Sequence, residues 1–198
     1  MAVFMKNSKF RSTPIPFIRP LPLDGMKPSD SLFLIDGTEL HNCHVPEQIY
    51  VTEGPDVTVY QFRYGHLFVL PQSTTNTSGS KNKGNANRKQ RYHNVEPLPQ
   101  QQPRKHYLVS HLVYMAFVGP IPADKPHIDH LDGITTNNHW SNLEPVTDAE
   151  NNRRTRYLRV LRECGFDPRI FTAAQLHEFF AQPFDEFSKV MYHHKNDE

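Results

Sequence analysis

The stretch Lys125-Pro126-His127-Ile128-Asp129-His130-Leu131-Asp132-Gly133-Ile134-Thr135-Thr136-Asn137-Asn138-His139-Trp140 decides the fold, together with its continuation Ser141-Asn142-Leu143-Glu144-Pro145-Val146-Thr147-Asp148-Ala149-Glu150-Asn151-Asn152-Arg153. A short strand reaches Asp129 and His130, and Asp132-Gly133 opens a loop by forming a turn. Leu143 to Thr147 reads as a second strand. Thr147-Asp148-Ala149-Glu150 is a capping box, in which the threonine oxygen accepts from the Glu150 N–H while the glutamate reaches back. The helix it starts runs to about Glu163, with Gly165 as its cap. Strand, strand and helix make a ββα unit, which brings Asp129, His130 and the first helical turn together although Asn151 follows Asp129 by 22 positions.

Upstream, Val109, Leu112, Val113, Ala116 and Phe117 recur at helical spacing, and Gly119 and Pro120 stop that helix. From Ser31 to Leu70 the pattern is β-like: Leu32 to Ile35, Ile49 to Val51, Val57 to Phe62 and His66 to Leu70 are apolar runs parted by Asp36-Gly37, Glu53-Gly54-Pro55 and Tyr64-Gly65. At the C-terminal end Thr172 and Gln175 start a helix, Pro183 interrupts, and Phe184 to Tyr192 resumes. Phe171, Leu176, Phe179, Phe180, Phe184 and Phe187 suit a packed helical hairpin. The fold class expected is α+β, divided into an extended proline-rich lead-in (1–30), a β-rich module (31–71), a flexible basic insert (72–103), a ββα core with its leading helix (104–163) and the hairpin (164–198).

Of the 198 residues 37% are hydrophobic, and mean hydropathy is -0.64. No apolar run is long enough to cross a membrane. Pro14 to Pro20 is too broken by proline to serve as the core of a secretion signal, so the chain reads as cytoplasmic, within a bacterial or phage-infected cell. Cys43 and Cys164 stand far apart with no CxxC pair, so both read as free thiols. A metal held here would then take oxygen and imidazole ligands, which favours Mg²⁺ or Mn²⁺ over zinc. The net charge is +1, yet Lys81, Lys83, Arg88, Lys89, Arg91, Arg104 and Lys105 face Glu96 alone between Gln72 and Lys105. That segment reads equally as a phosphate-contacting arm or as a solubilising loop.

Phosphodiester hydrolysis needs a base for water, and it needs positive charge for the phosphorane and the leaving oxygen. His130 can be the base, since imidazole is largely neutral near pH 7. Activity resting on it is expected to fall below about pH 6.5. Asp129 and Asn151 can hold one hard cation through oxygen, at a helix N-terminus that itself favours anions. Neighbours in a regular strand point to opposite faces, so Asp129 and His130 can serve one phosphate only where the strand bends or ends.

Leu112 through Arg154 resembles the HNH endonucleases of the His-Me finger (ββα-metal) superfamily, above all the phage and intron-encoded homing type. The matching elements are Ala116-Phe117, Asp129-His130-Leu131-Asp132-Gly133, Thr136-Asn137-Asn138, Asn142-Leu143-Glu144 and Glu150-Asn151, with Ser110-His111 where the family often has His-Arg. The resemblance implies a metal-dependent endonuclease acting on double-stranded DNA, leaving 5′-phosphate and 3′-hydroxyl ends, with Mg²⁺ or Mn²⁺ and no small-molecule cofactor. It also implies His130 as general base, Asp129 and Asn151 as metal ligands, and Asn142 as the brace of the loop that positions His130. For DNA contact the candidates are Arg153 and Arg154 on the helix and Lys81, Lys83, Arg88 and Lys89 in the insert. His127 and His139 suit loop or phosphate contacts better than a zinc site, and Trp140 suits packing beneath the loop. The alternative is a non-catalytic DNA-binding protein that keeps the ββα unit as a scaffold.

Overall fold

Val109–Phe117 forms α1, the scaffold helix, because its apolar spacing puts Val109, Leu112, Val113 and Tyr114 on one buried face. It stops where the Val118 and Gly119 N–H groups both donate to the Tyr114 carbonyl and Gly119 takes a φ of +137°. The computed structural model describes residues 14–18, 31–54, 56–76, 91–97 and 106–196. Within them the architecture is α+β, with antiparallel sheets and four helices.

Ahead of α1 lies a six-stranded antiparallel meander in chain order: β1 (Phe17–Ile18), β2 (Leu32–Leu34), β3 (Glu39–Asn42), β4 (Ile49–Val51), β5 (Val59–Arg63) and β6 (His66–Leu70). Two of these strands depart from the sequence reading. Phe17–Ile18 lies in the proline-rich lead-in, yet it pairs with β2, and Ile15 bridges Leu67. Proline is tolerated there because an edge segment needs only some of its N–H groups. Glu39–Asn42 is too polar to announce a strand, but it pairs with both β2 and β4.

A three-stranded sheet follows, with β8 (Arg91–Val95) between β7 (Ser73–Asn76) and β9 (Tyr107–Leu108). Strands β7 and β8 fall inside the stretch expected to be flexible. Their residues, Ser-Thr-Thr-Asn and Arg-Tyr-His-Asn-Val, show little apolar alternation. What holds them is cross-strand pairing, including a Ser73 Oγ to Asn94 Oδ1 hydrogen bond of 2.6 Å. Lys81, Lys83, Arg88 and Lys89 lie outside the described residues.

The ββα unit consists of β10 (His127–His130), β11 (Leu143–Val146) and α2 (Asp148–Glu163). Both halves of the capping box at Thr147 and Glu150 form, and Gly165 closes the helix at φ +87°. The C-terminal pair α3 (Ala173–Ala181) and α4 (Phe184–Asn196) breaks at Pro183, and α3 carries its own capping box at Thr172 and Gln175. No helix among the described residues is long and apolar enough to cross a membrane.

Two cores position the site. The first joins Ile49, Val51, Val59 and Leu70 of the meander to Val109, Leu112 and Val113 of α1 and to Ile128 and Leu143 of the β10–β11 hairpin. The second joins Leu131 and the Tyr157, Leu158, Val160 and Leu161 face of α2 to Leu176, Phe180 and Phe187. Each fully buried aliphatic or aromatic side chain stabilises its core by about 1.5–3 kcal/mol. The loop after β10 is thus pinned between two packed layers. The meander and the ββα unit, read as neighbouring modules in the sequence, share one apolar cluster.

Candidate active site

Strand β10 ends at His130, where the Gly133 N–H donates to the His130 carbonyl over 2.7 Å and Gly133 adopts φ +64°. A left-handed residue follows almost at once because Asp132-Gly133 can accept it. The ensuing loop, residues 131–142, is organised around Asn142. Its amide nitrogen donates to Asp132 Oδ1 (3.0 Å) and to the Asn137 carbonyl (2.9 Å), and its oxygen accepts from the Asp132 N–H (3.1 Å). Asp132 extends the network, accepting from the Ile134 N–H and from Asn137 Nδ2 at 2.8 Å each. Arg162, from the last turn of α2, donates to the Asp132 and Gly133 carbonyls. Asn142 thereby ties both ends of the loop together.

His130 is buried, at 2% exposure. Its Nε2 lies 3.1 Å from Asn138 Oδ1. With that oxygen as acceptor, Nε2 carries the proton and Nδ1 keeps its lone pair. Burial pushes the imidazole below its ordinary pKa, against the opposing pull of the Asn138 hydrogen bond and the Asp132 charge. The ring is therefore held neutral at pH 7. Asn138 belongs to the Thr-Asn-Asn run in the sequence, but nothing there singles out its partner.

Asp129 pairs in register with Glu144 across the hairpin. Burial raises its carboxyl from 3.8 to about 6, although the Arg154 guanidinium opposes this. Arg154 Nη1 lies 3.6 Å from Asp129 Oδ2, and Arg154 Nη2 donates to Glu144 Oε2 over 2.8 Å. Among the described residues the buried side-chain polar atoms without a hydrogen-bond partner are Asp129 Oδ2, Arg154 Nε and Arg154 Nη1. All three belong to the Asp129–Arg154 pair. Arg154 was expected to reach DNA from a surface; it is instead buried at 9% exposure, because its position in the α2 period faces the core. Arg153 is exposed.

Asn151 sits on the first turn of α2, one turn before Arg154 and hence on nearly the same face. The structure thus places Asp129 and His130 at the end of β10, Asn142 at the far end of the loop that follows, and Asn151 on the first turn of α2. Elements the sequence reading left out also reach the site. Tyr92 of β8 lies 6.2 Å from the His130 ring, centroid to centroid, and the neighbouring His93 exerts a charge effect on it. His177 Nε2 of α3 bonds Glu144 Oε1 at 2.8 Å. The polar, unpatterned sequence around Tyr92 hid the first, and only tertiary packing could reveal the second.

His127 pairs with Asp148 at 2.8 Å, and His139 Nδ1 bonds Ser141 Oγ at the same distance. Trp140 does not lie beneath the loop. It is 38% exposed, stacks on His139 and donates from Nε1 to Glu53 Oε1 at 3.0 Å, because the short 3-10 turn at Trp140–Asn142 turns it outward.

Whether this site suits a divalent cation can be judged from its donors. The orphaned Asp129 oxygen is a buried hard ligand lacking a partner, and the Asn151 amide oxygen is of the same class. Neither cysteine is near in kind: Cys43 is buried in the first core and Cys164 follows the end of α2. Among the described residues no group of three or more His, Cys, Asp or Glu side chains is gathered as ion ligands. A cation here would accordingly rest on one carboxylate and one amide, with water and phosphate oxygens completing its shell. The set fits a hard, partly hydrated ion.

Residues 107–153 match the family model described as HNH endonuclease, which spans α1, the β10–β11 hairpin and the first turns of α2. No curated protein and no solved structure matches the chain.

Proposed function

We propose that this chain, whose residues 107–153 match the family model described as HNH endonuclease, is a metal-dependent DNA endonuclease in which His130 is the general base. The observation that carries this reading is the state of His130. It stands at the end of β10, its Nε2 is engaged by Asn138 and its ring is kept neutral by burial. A base so prepared needs no reorganisation before it takes a proton.

Asp129 and Asn151 would hold the cation, with Mg²⁺ or Mn²⁺ suiting their oxygen donors. When bound, that ion supplies positive charge to the phosphate and to the leaving oxygen. His130 Nδ1 accepts the proton of the attacking water, while Asn138 and the Asn142-braced loop fix the ring. The N-terminus of α2 meets β10 through the His127–Asp148 contact, and its dipole would favour an anionic phosphate bound there. Arg153, exposed on the second turn of α2, suits backbone contact with the duplex. Lys81, Lys83, Arg88 and Lys89 add charge that can follow the phosphates, although their positions lie outside the described residues.

The test is incubation of purified protein with supercoiled plasmid, with and without Mg²⁺, beside the His130→Ala variant. Cleavage that requires the ion and drops by about 10²-fold to 10⁴-fold in His130→Ala, with DNA affinity nearly unchanged, supports the proposal. DNA binding without cleavage, indifferent to the ion, would transfer the chain to the reading in which the ββα unit is only a scaffold.

A further inference from the structure

A buried arginine is costly unless its five donors are met. Arg154 leaves Nε and Nη1 without partners and commits Nη2 alone to Glu144. Its Nη1 faces Asp129 Oδ2 across 3.6 Å, close enough for charge attraction and too long for a hydrogen bond. The carboxylate oxygen it faces is itself an orphan. An arginine placed only to brace the fold would close that gap and satisfy both sides at once.

The charges around it do not balance either. Asp129 and Glu144 oppose each other in the hairpin register and share the one guanidinium. Two carboxylates against one fixed positive charge leave a formal deficit of one, inside a region where uncompensated charge is expensive. Glu144 is steadied from the far side by His177 Nε2 at 2.8 Å, and the Phe180 ring lies 5.2 Å from the guanidinium carbon. The guanidinium therefore has a second anion and an aromatic seat beside it, and it can give up Asp129 without being stranded.

We propose that Arg154 is the internal counter-ion of Asp129: its guanidinium guards the carboxylate while no divalent cation is bound and withdraws onto Glu144 when one is. This rests on the metal-dependent reading above and deepens it. Arg154 is then a positioning residue that sets how tightly the site takes its ion, and Glu144 and His177 carry that setting to the C-terminal hairpin.

The measurement is calorimetric titration of the full chain with Mn²⁺ alone, in the absence of DNA. Removing a like charge this close should tighten binding by about tenfold or more in Arg154→Met. A residue that merely held the fold together would, on removal, loosen the site. Glu144→Gln deprives the guanidinium of its second anion and should weaken binding, and this penalty should shrink in the Arg154→Met background, since Glu144 acts through Arg154. Should Arg154→Met fail to fold, the wild-type chain still decides the matter: the Arg154 Nε–H resonance should shift on Mg²⁺ addition and stay still in Asp129→Asn. Equal or weaker Mn²⁺ binding by Arg154→Met, a Glu144→Gln penalty undiminished without Arg154, or an unmoved Nε–H signal overturns the inference. Mn²⁺ binding that is lost in Asp129→Asn but not tightened in Arg154→Met sinks this inference alone. Wild-type binding that is absent, or that survives Asp129→Asn, sinks the metal-site reading together with it.

Discussion

Asp129 holds its proton in the folded chain up to about pH 6, whereas the unfolded chain releases it near 4, and burial is the chief cause. The folded state thus binds more protons than the unfolded state between those values. Its contribution to stability is full below about pH 4, erodes as pH rises and is gone above about 6. The difference amounts to on the order of 3 kcal/mol. In the metal-free protein, with chelator present, Asp129→Asn should therefore gain stability relative to wild type as pH climbs from 4 to 7. Denaturant melts at the two ends of that range test this, and a wild-type-to-variant difference that stays constant with pH would refute it. His130 is shifted the other way, so an acid limb of cleavage set by its imidazole should fall below the ordinary value near 6.5 expected from the sequence. Asn142 offers a separate test. Its alanine variant strips three hydrogen bonds from the loop and leaves Asp132 and Asn137 groups unmet. It should cost about 1–3 kcal/mol and cut plasmid cleavage far more than DNA binding.

Within elements, the most exacting position is Gly133. A Cβ there would come 2.5 Å from Arg162 Nη2 and 2.8 Å from Leu158 Cδ1, at a φ of +64° that disfavours any side chain. Gly133→Ala should lose at least about 1–2 kcal/mol from conformation alone, readable as a lower melting temperature. Thr147→Ala, which removes the cap of α2, should cost about 1 kcal/mol. Helix α1 was legible from its apolar period and terminal glycine, and α2 from its capping box and terminal glycine. The β10–β11 hairpin was legible because Asp132-Gly133 marks where the first strand ends. Strands β7 and β8 were not, since 14 residues separate them and their hydrogen bonds rather than apolar faces define them. Nor was the burial of Arg154: composition makes it one of several arginines on α2, and only the packing of Phe180 and Glu144 around it decides that this one turns inward. The residue types of the candidate site could be read in order, but not their partners: Asn138 sits in the quoted motif with nothing to mark its contact to His130, and Tyr92 and His177 come from elsewhere in the chain.

Across the whole molecule, the meander and the ββα unit meet in a single apolar cluster and through the Trp140 Nε1 to Glu53 hydrogen bond, while Tyr107 of β9 ties to Glu47. A fragment beginning at residue 104 should expose the Val109, Leu112 and Val113 face of α1 and fail to fold. Circular dichroism and hydrogen exchange would detect this, and a cooperatively melting fragment would contradict it. The shared cluster also limits how such a protein can change. Its ββα unit cannot be lifted out together with α1 as an interchangeable cartridge, because part of the seat for α1 is contributed by β4, β5 and β6, laid down well before it in the chain. Substitution is therefore freest at the outward-facing residues of the existing sheets, while Ile49, Val51, Val59 and Leu70 must stay as they are.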